Sequence, residues 1–223
     1  MAVKLKTPPA EEPVTLAEVK DYLQMTDADD DALLNSMIPA VRQKCEEYTR
    51  RALVTQTWTF WLDGFPRREK RNAPSDGFFQ LPVDHFDDVQ SVIEIPRPPL
   101  QSVVLINSYD QANVAALFDA VNYFVDINKD PGRVALNQGK TWPTTNLRSI
   151  SSVQIEFIAG YGLASAVPDA IKQGIYLWIK LIKANRASLY KDEDESGALA
   201  TANLGTIPPQ VKAFWSPYRI EKL

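Results

Sequence analysis

The sequence predicts an α+β protein: a small helical bundle with an inserted antiparallel β-sandwich-like domain and an extended C-terminal arm. Three observations predict this. Helical periodicity runs from Thr15 to Tyr48 and returns after Pro168, while the stretch between alternates apolar and polar residues with a period of two. Turn-forming pairs such as Asp63-Gly64 and Pro131-Gly132 punctuate that middle stretch. After Arg186 all periodicity is lost, yet Phe214, Trp215 and Tyr218 crowd the far end of the chain. The expected divisions are a flexible arm over 1–13, N-terminal helices over 14–52, an inserted β domain over 53–160, a long helix over 165–190 that completes the bundle, and a linker with a docking arm over 191–223.

Residues 1–13 are rich in Pro and Glu and read as mobile. Thr15 and Glu18 then form a capping box, with Val14 placed to staple onto Val19, so a short helix starts at Thr15 and ends near Leu23. Thr26 with Asp29 repeats the start signal, and the acidic run around it loads the positive end of a second helix. An EF-hand would need a loop glycine and a glutamate at its twelfth position. Neither is present, so the run reads as capping. The second helix carries Leu34, Met37, Ile38, Val41, Cys45 and Tyr48 on one face, with Pro39 expected to kink or break it. Cys45 lies on the apolar face, as a core filler does.

From Val54 the chain alternates, with Trp58, Phe60 and Leu62 facing one way and Thr57, Thr59 and Trp61 the other. Further strands are expected at 78–81, 89–95, 102–107, 114–118, 123–127, 133–136 and 152–158, and the 128–132 linker as a hairpin turn. Gly160 and Gly162 end the last strand, and Pro168-Asp169 open a helix of unusual greasiness. Ile171, Ile175, Trp178, Ile179 and Ile182 share one face, which Tyr176, Leu177 and Leu181 widen. A helix apolar around most of its circumference needs cover on two sides. One side is expected to be this chain's own core and the other a second subunit, which makes Ile175, Trp178, Ile179 and Ile182 the expected subunit interface.

The chain has 223 residues, 45% hydrophobic and 23% charged, as in an ordinary globular protein. A net charge of -4 argues against sequence-independent grip on a phosphate backbone. A single cysteine excludes an intramolecular disulfide and a multi-cysteine metal site. The N-terminus lacks the apolar core of a signal peptide, and no apolar run is long enough to span a bilayer, so no membrane role is expected. The search for chemistry is negative. One histidine, His85, stands between Asp84 and Phe86; no G-x-S-x-G elbow, phosphate loop or dinucleotide fingerprint occurs. No enzyme, no cofactor and no metal site are therefore expected, and a hydrolase using Asp84, Asp87 or Asp88 with His85 has no motif behind it. The basic cluster Arg67–Arg71 is read as a solvated loop in preference to a nucleic-acid patch.

The order T-L-A-E-V-K-D-Y-L, D-D-D-A-L-L, C-E-E-Y-T-R-R-A-L-V-T-Q-T-W, R-P-P-L-Q-S-V, D-P-G-R-V, F-I-A-G-Y-G and V-P-D-A-I-K-Q-G-I resembles the head–tail connector (adaptor) family of long-tailed bacteriophages and gene transfer agents. The resemblance runs from Thr15 to about Arg186, and F-W-S-P-Y-R resembles the family's closing segment. Pro39 and the inserted loop 67–76 depart from the pattern. The resemblance implies a structural virion protein, assembled in the host cytoplasm as a homo-oligomeric ring, usually twelvefold, at the head–tail interface. Its partners would be the portal protein on one side and a head-completion (stopper) or tail-terminator protein on the other. Genomic DNA would pass through the channel without specific binding. The C-terminal arm would then bind the portal through Phe214, Trp215, Tyr218 and Arg219, residue types common at hot spots. The alternative is that these aromatics pack on the chain's own helices. A different class of function, a ligand- or carbohydrate-binding β-sandwich module with helical flanks, would use Trp58, Trp61 and Trp142. Trp58 and Trp61 are an odd number apart, however, and so point to opposite faces of a strand.

Overall fold

The computed structural model describes residues 1–66, 92–143, 146–189 and 206–221. They fall into two compact units. One is made of Met1–Pro8 with Gln56–Gly160, the other of Pro9–Thr55 with Tyr161–Leu223.

The second unit is helical. Helix α1 (Leu16–Leu23) starts at the capping box that the sequence spells out. The Glu18 amide donates to Thr15 Oγ1 at 3.2 Å, and the Thr15 amide donates to Glu18 Oε2 at 2.7 Å. Val14 and Val19 are both buried, as a hydrophobic staple requires. Helix α2 (Asp31–Thr49) departs from expectation twice. Its N-cap, Asp30, makes no side-chain cap hydrogen bond. The carboxylates there serve other helices instead: Lys20 Nζ lies 2.7 Å from Asp31 Oδ1, and Lys183 Nζ 3.0 Å from Asp30 Oδ2. Pro39 does not break α2, which runs through it. The donor that Pro39 lacks would have served the carbonyl of Asn35, a position exposed to water.

Helix α3 (Asp169–Leu189) is the axis of the unit. It packs against α1, α2 and α4 (Pro209–Trp215). Its face Ile171, Ile175, Trp178, Ile179 and Ile182 meets Leu34, Ile38, Val41 and Cys45 of α2 and Val211 and Trp215 of α4 in one core. Leu53 and Val54, expected at the start of the β domain, are buried in this helical core instead. Arg42 and Glu46 are buried beside it and pair at 2.8 Å. Arg42 Nε also donates to Glu12 at 2.7 Å, and Glu46 Oε1 accepts the Leu53 amide at 3.0 Å, so the buried charges have their partners. Burial, aided by the charge of Glu46, pushes the Cys45 thiol well above its ordinary pKa, as befits a core filler.

The first unit is antiparallel β. Strands β1 (Ala2–Thr7), β2 (Gln56–Leu62), β4 (Leu100–Tyr109), β5 (Ala115–Leu117) and β8 (Val153–Ala159) form one sheet in the order β1-β2-β8-β4-β5. Strands β3 (Ile93–Glu94), β6 (Tyr123–Asp126) and β7 (Arg133–Leu136) form a second, in the order β3-β7-β6. The flexible N-terminal arm is the main correction here. Residues 2–7 are an edge strand, with Val3 opposite Phe60 and Leu5 opposite Trp58. Their own alternation, Val3 and Leu5 against Lys4 and Lys6, fits this role once β2 offers an edge. The inward face of the larger sheet is apolar: Phe60, Leu62, Val153, Ile155, Phe157 and Ile106 are all buried. Phe65, Trp142, Phe118 and Tyr123 form an aromatic cluster, with Phe65 and Trp142 stacked at 4.8 Å between ring centroids and Phe118 and Tyr123 at 5.9 Å. The β6–β7 connection is the hairpin expected at 128–132. The expected strand at 78–81 lies outside the described residues.

Candidate interaction surfaces

The two sets of surface residues expected from the sequence fare differently. Ile175, Trp178, Ile179 and Ile182 are buried within the subunit, from 0% to 8% exposed, so they are not a subunit interface. The second cover that α3 requires is supplied by this chain's own C-terminal segment. Pro208-Pro209 open α4, which lays Val211 and Trp215 into the core. The Trp215 indole nitrogen donates to the Ile171 carbonyl at 3.1 Å, and its ring meets Trp178 edge-on at 5.6 Å. Gly174 on α3 makes this possible. A Cβ there would overlap the Trp215 indole nitrogen and come within 2.8 Å of two further ring atoms. The glycine thus sits in a helix because the indole lies against bare backbone.

The C-terminal segment is therefore folded and docked, not an extended arm, through its described end at Glu221. Arg51 Nε donates to the Tyr218 carbonyl at 2.6 Å, and the Ile220 amide donates to the Thr49 carbonyl at 3.0 Å. Of the four residues expected to bind the portal, Trp215 is enclosed and unavailable, and Tyr218 is half-buried. Phe214 and Arg219 face solvent, Arg219 with its guanidinium 5.2 Å above the Tyr48 ring. The aromatics that looked like an anchor for another protein are first an anchor for the chain itself.

The β unit holds a surface that sequence reasoning missed. Val114, Leu117, Val121, Phe124 and Ile127 are each between 51% and 68% exposed, all within one short stretch. Their apolar character was legible; their exposure was not, because strand formers are expected to bury one face. The tryptophans proposed for a ligand platform do not make one. Trp58 and Trp142 are buried, and half-buried Trp61 packs near Tyr109 on the opposite sheet face from Trp58. His85, Asp84, Asp87, Asp88 and the basic stretch 67–71 lie outside the described residues. Among the described residues no group of three or more His, Cys, Asp or Glu side chains could hold a metal ion, and no helix is long and apolar enough to cross a membrane.

The chain thus combines a helical unit with a β unit inserted after its second helix, and the β unit exposes Val114, Leu117, Val121, Phe124 and Ile127. Residues 13–116, just under half the chain, match the model of the phage gp6-like head-tail connector protein family. The fold is shared with a chain in the neck of an empty gene transfer agent particle with C6 symmetry, at 20% identity and a TM-score of 0.66, covering 100% of this chain and 97% of that one. The virion of a native gene transfer agent particle contains a similar chain, with a TM-score of 0.65 at 20% identity over the same shares. So does the neck of a native particle with C12 symmetry, with a TM-score of 0.61, 20% identity and again 100% and 97% coverage. No curated protein matches the sequence.

Proposed function

We propose that this protein forms a ring, twelvefold in the virion, that joins the portal of a phage head to the head-completion or tail proteins and lines the channel through which DNA leaves. The observation that carries this is the connector-family match over residues 13–116, continued by a fold shared over the whole chain with proteins of a particle neck. The net charge of -4 suits a channel that must not hold DNA back. Portal contact falls to the solvent-facing residues of the docked segment, Phe214 and Arg219, with Trp215 and Val211 holding that segment in place from beneath. Deleting 207–223 would strip two fully buried side chains from the core and unfold the helical unit, so it cannot test portal contact. The clean test is Phe214→Ala with Arg219→Ala, checked by circular dichroism for an unchanged fold and then by co-sedimentation with the purified portal of the same phage. Loss of co-sedimentation supports the proposal. Unchanged co-sedimentation removes this surface from it, and a wild-type chain that never associates with portal overturns the connector role itself.

A further inference from the structure

We infer that neighbouring subunits join through the two outer edges of the five-stranded sheet, the β1 edge of one copy seating on the β5 edge of the next. This rests on the ring proposed above and names its contact. Among the described residues no strand pairs with the outer side of β1 or of β5, which stand at opposite ends of one sheet. An unpaired edge is a ready template for another strand. Opposite ends of one sheet are unlike surfaces, which is what a head-to-tail ring contact requires and a twofold contact does not.

The directions are compatible. Each neighbouring pair in the sheet is antiparallel, so across five strands β1 and β5 run the same way. A rotation about an axis along the strands carries one subunit's β1 beside the next one's β5 without reversing it. The hydrogen-bonding groups are available on the β5 side. Asp110 donates to the Val114 carbonyl and Phe118 donates to the Ile106 carbonyl, with Ser108 opposite Ala116 between them. The alternation of such a ladder turns the amides and carbonyls of Ala115 and Leu117 outward.

The side chains are complementary as well. The whole of β1 is exposed and presents Val3, Leu5 and Lys4. The receiving stretch exposes Val114 and Leu117 and carries Asp110 and Asp119, while Asp126 further on is already paired with Arg133. Val3 and Leu5 with Lys4 thus face Val114 and Leu117 with Asp110 and Asp119, and like ends of two copies repel.

The test traps the contact by disulfide formation in the full chain. Leu5→Cys and Leu117→Cys are made in separate, differently tagged chains, mixed, and oxidised mildly, with and without the purified portal of the same phage. Gln43→Cys, exposed on α2, is the control partner. Both leucines are exposed, so the fold is kept, and Cys45 is buried and does not compete. The expected result is a heterodimer at least tenfold above either homodimer and above the Gln43→Cys control, and a ladder of multimers from one chain carrying both cysteines. Homodimers in excess, or a heterodimer no more abundant than the control in both conditions, overturn the inference. Recruitment of many copies by the portal without this cross-link overturns the edge contact and leaves the connector role standing. A cross-link in free protein that ignores the portal does the reverse.

Discussion

Gly174→Ala should destabilise the helical unit, although alanine is the better helix former. In an unconstrained helix interior this exchange stabilises by about 1 kcal/mol. Here the new methyl would meet the Trp215 indole, two of whose carbons lie 2.8 Å from the ideal Cβ position. The indole has nowhere to go. It is fully buried, donates to Ile171, and is flanked by Trp178 at 5.6 Å and Tyr48 at 6.3 Å. Overpacking of a tight core costs about 1–3 kcal/mol, and with the clash here near the upper end the net loss after the propensity gain is about 2 kcal/mol. Trp215→Ala alone should cost about 3–5 kcal/mol. In that background the space opposite residue 174 is empty, and Gly174→Ala should turn stabilising by about 1 kcal/mol. Urea unfolding followed at 222 nm reads this directly, because helices α1 to α4 all belong to the helical unit. The sign reversal is the diagnostic. A Gly174→Ala protein more stable than wild type, or a change of the same sign in both backgrounds, would refute the close-approach account.

Three further outcomes follow from the same structure. Glu46→Ala takes from the buried Arg42 guanidinium one of its two carboxylate partners and from the Leu53 amide its acceptor, and should cost about 3–5 kcal/mol in urea unfolding, while replacing Arg42 and Glu46 together by methionine and leucine should recover the part due to the buried charge but not the part due to the Leu53 amide. Thr15→Ala removes the capping box of α1 and should cost about 1 kcal/mol; a change within error would mean that packing of Val14 and Val19 alone sets the start of the helix. Burial, with the charges of Glu18 and Asp169 nearby, pushes the Tyr176 hydroxyl up to about 12, so the fold favours its neutral form. Its contribution is complete below the ordinary tyrosine value near 10 and is lost as pH rises from about 10 through about 12. Melting temperature should therefore fall over that window in wild type and fall less in Tyr176→Phe; equal slopes would rule Tyr176 out as the source.

Local chemistry in the sequence determined where elements begin and which side of each is apolar. Thr15 and Glu18 cap a helix because their side chains reach each other's backbone within four residues, and Trp58, Phe60 and Leu62 alternate with Thr57, Thr59 and Trp61 because a strand has two faces. Such signals need no distant partner. What covers an apolar face is another matter. The greasy circumference of α3 calls for a second cover, but nothing local distinguishes a neighbouring subunit from Val211 and Trp215, which follow a long polar interval in the same chain. The glycine at 174 was the clue, meaningful only once the indole lies against it. The same holds at the N-terminus. Residues 2–7 carry a strand's alternation beside a Pro-rich stretch, and only the edge offered by Gln56–Leu62 makes them a strand. The exposed cluster from Val114 to Ile127 was legible as apolar and not as uncovered. Periodicity states which side chains must leave water, while the partner that removes them is chosen by contacts between residues far apart in the chain, and those exist only in the folded protein.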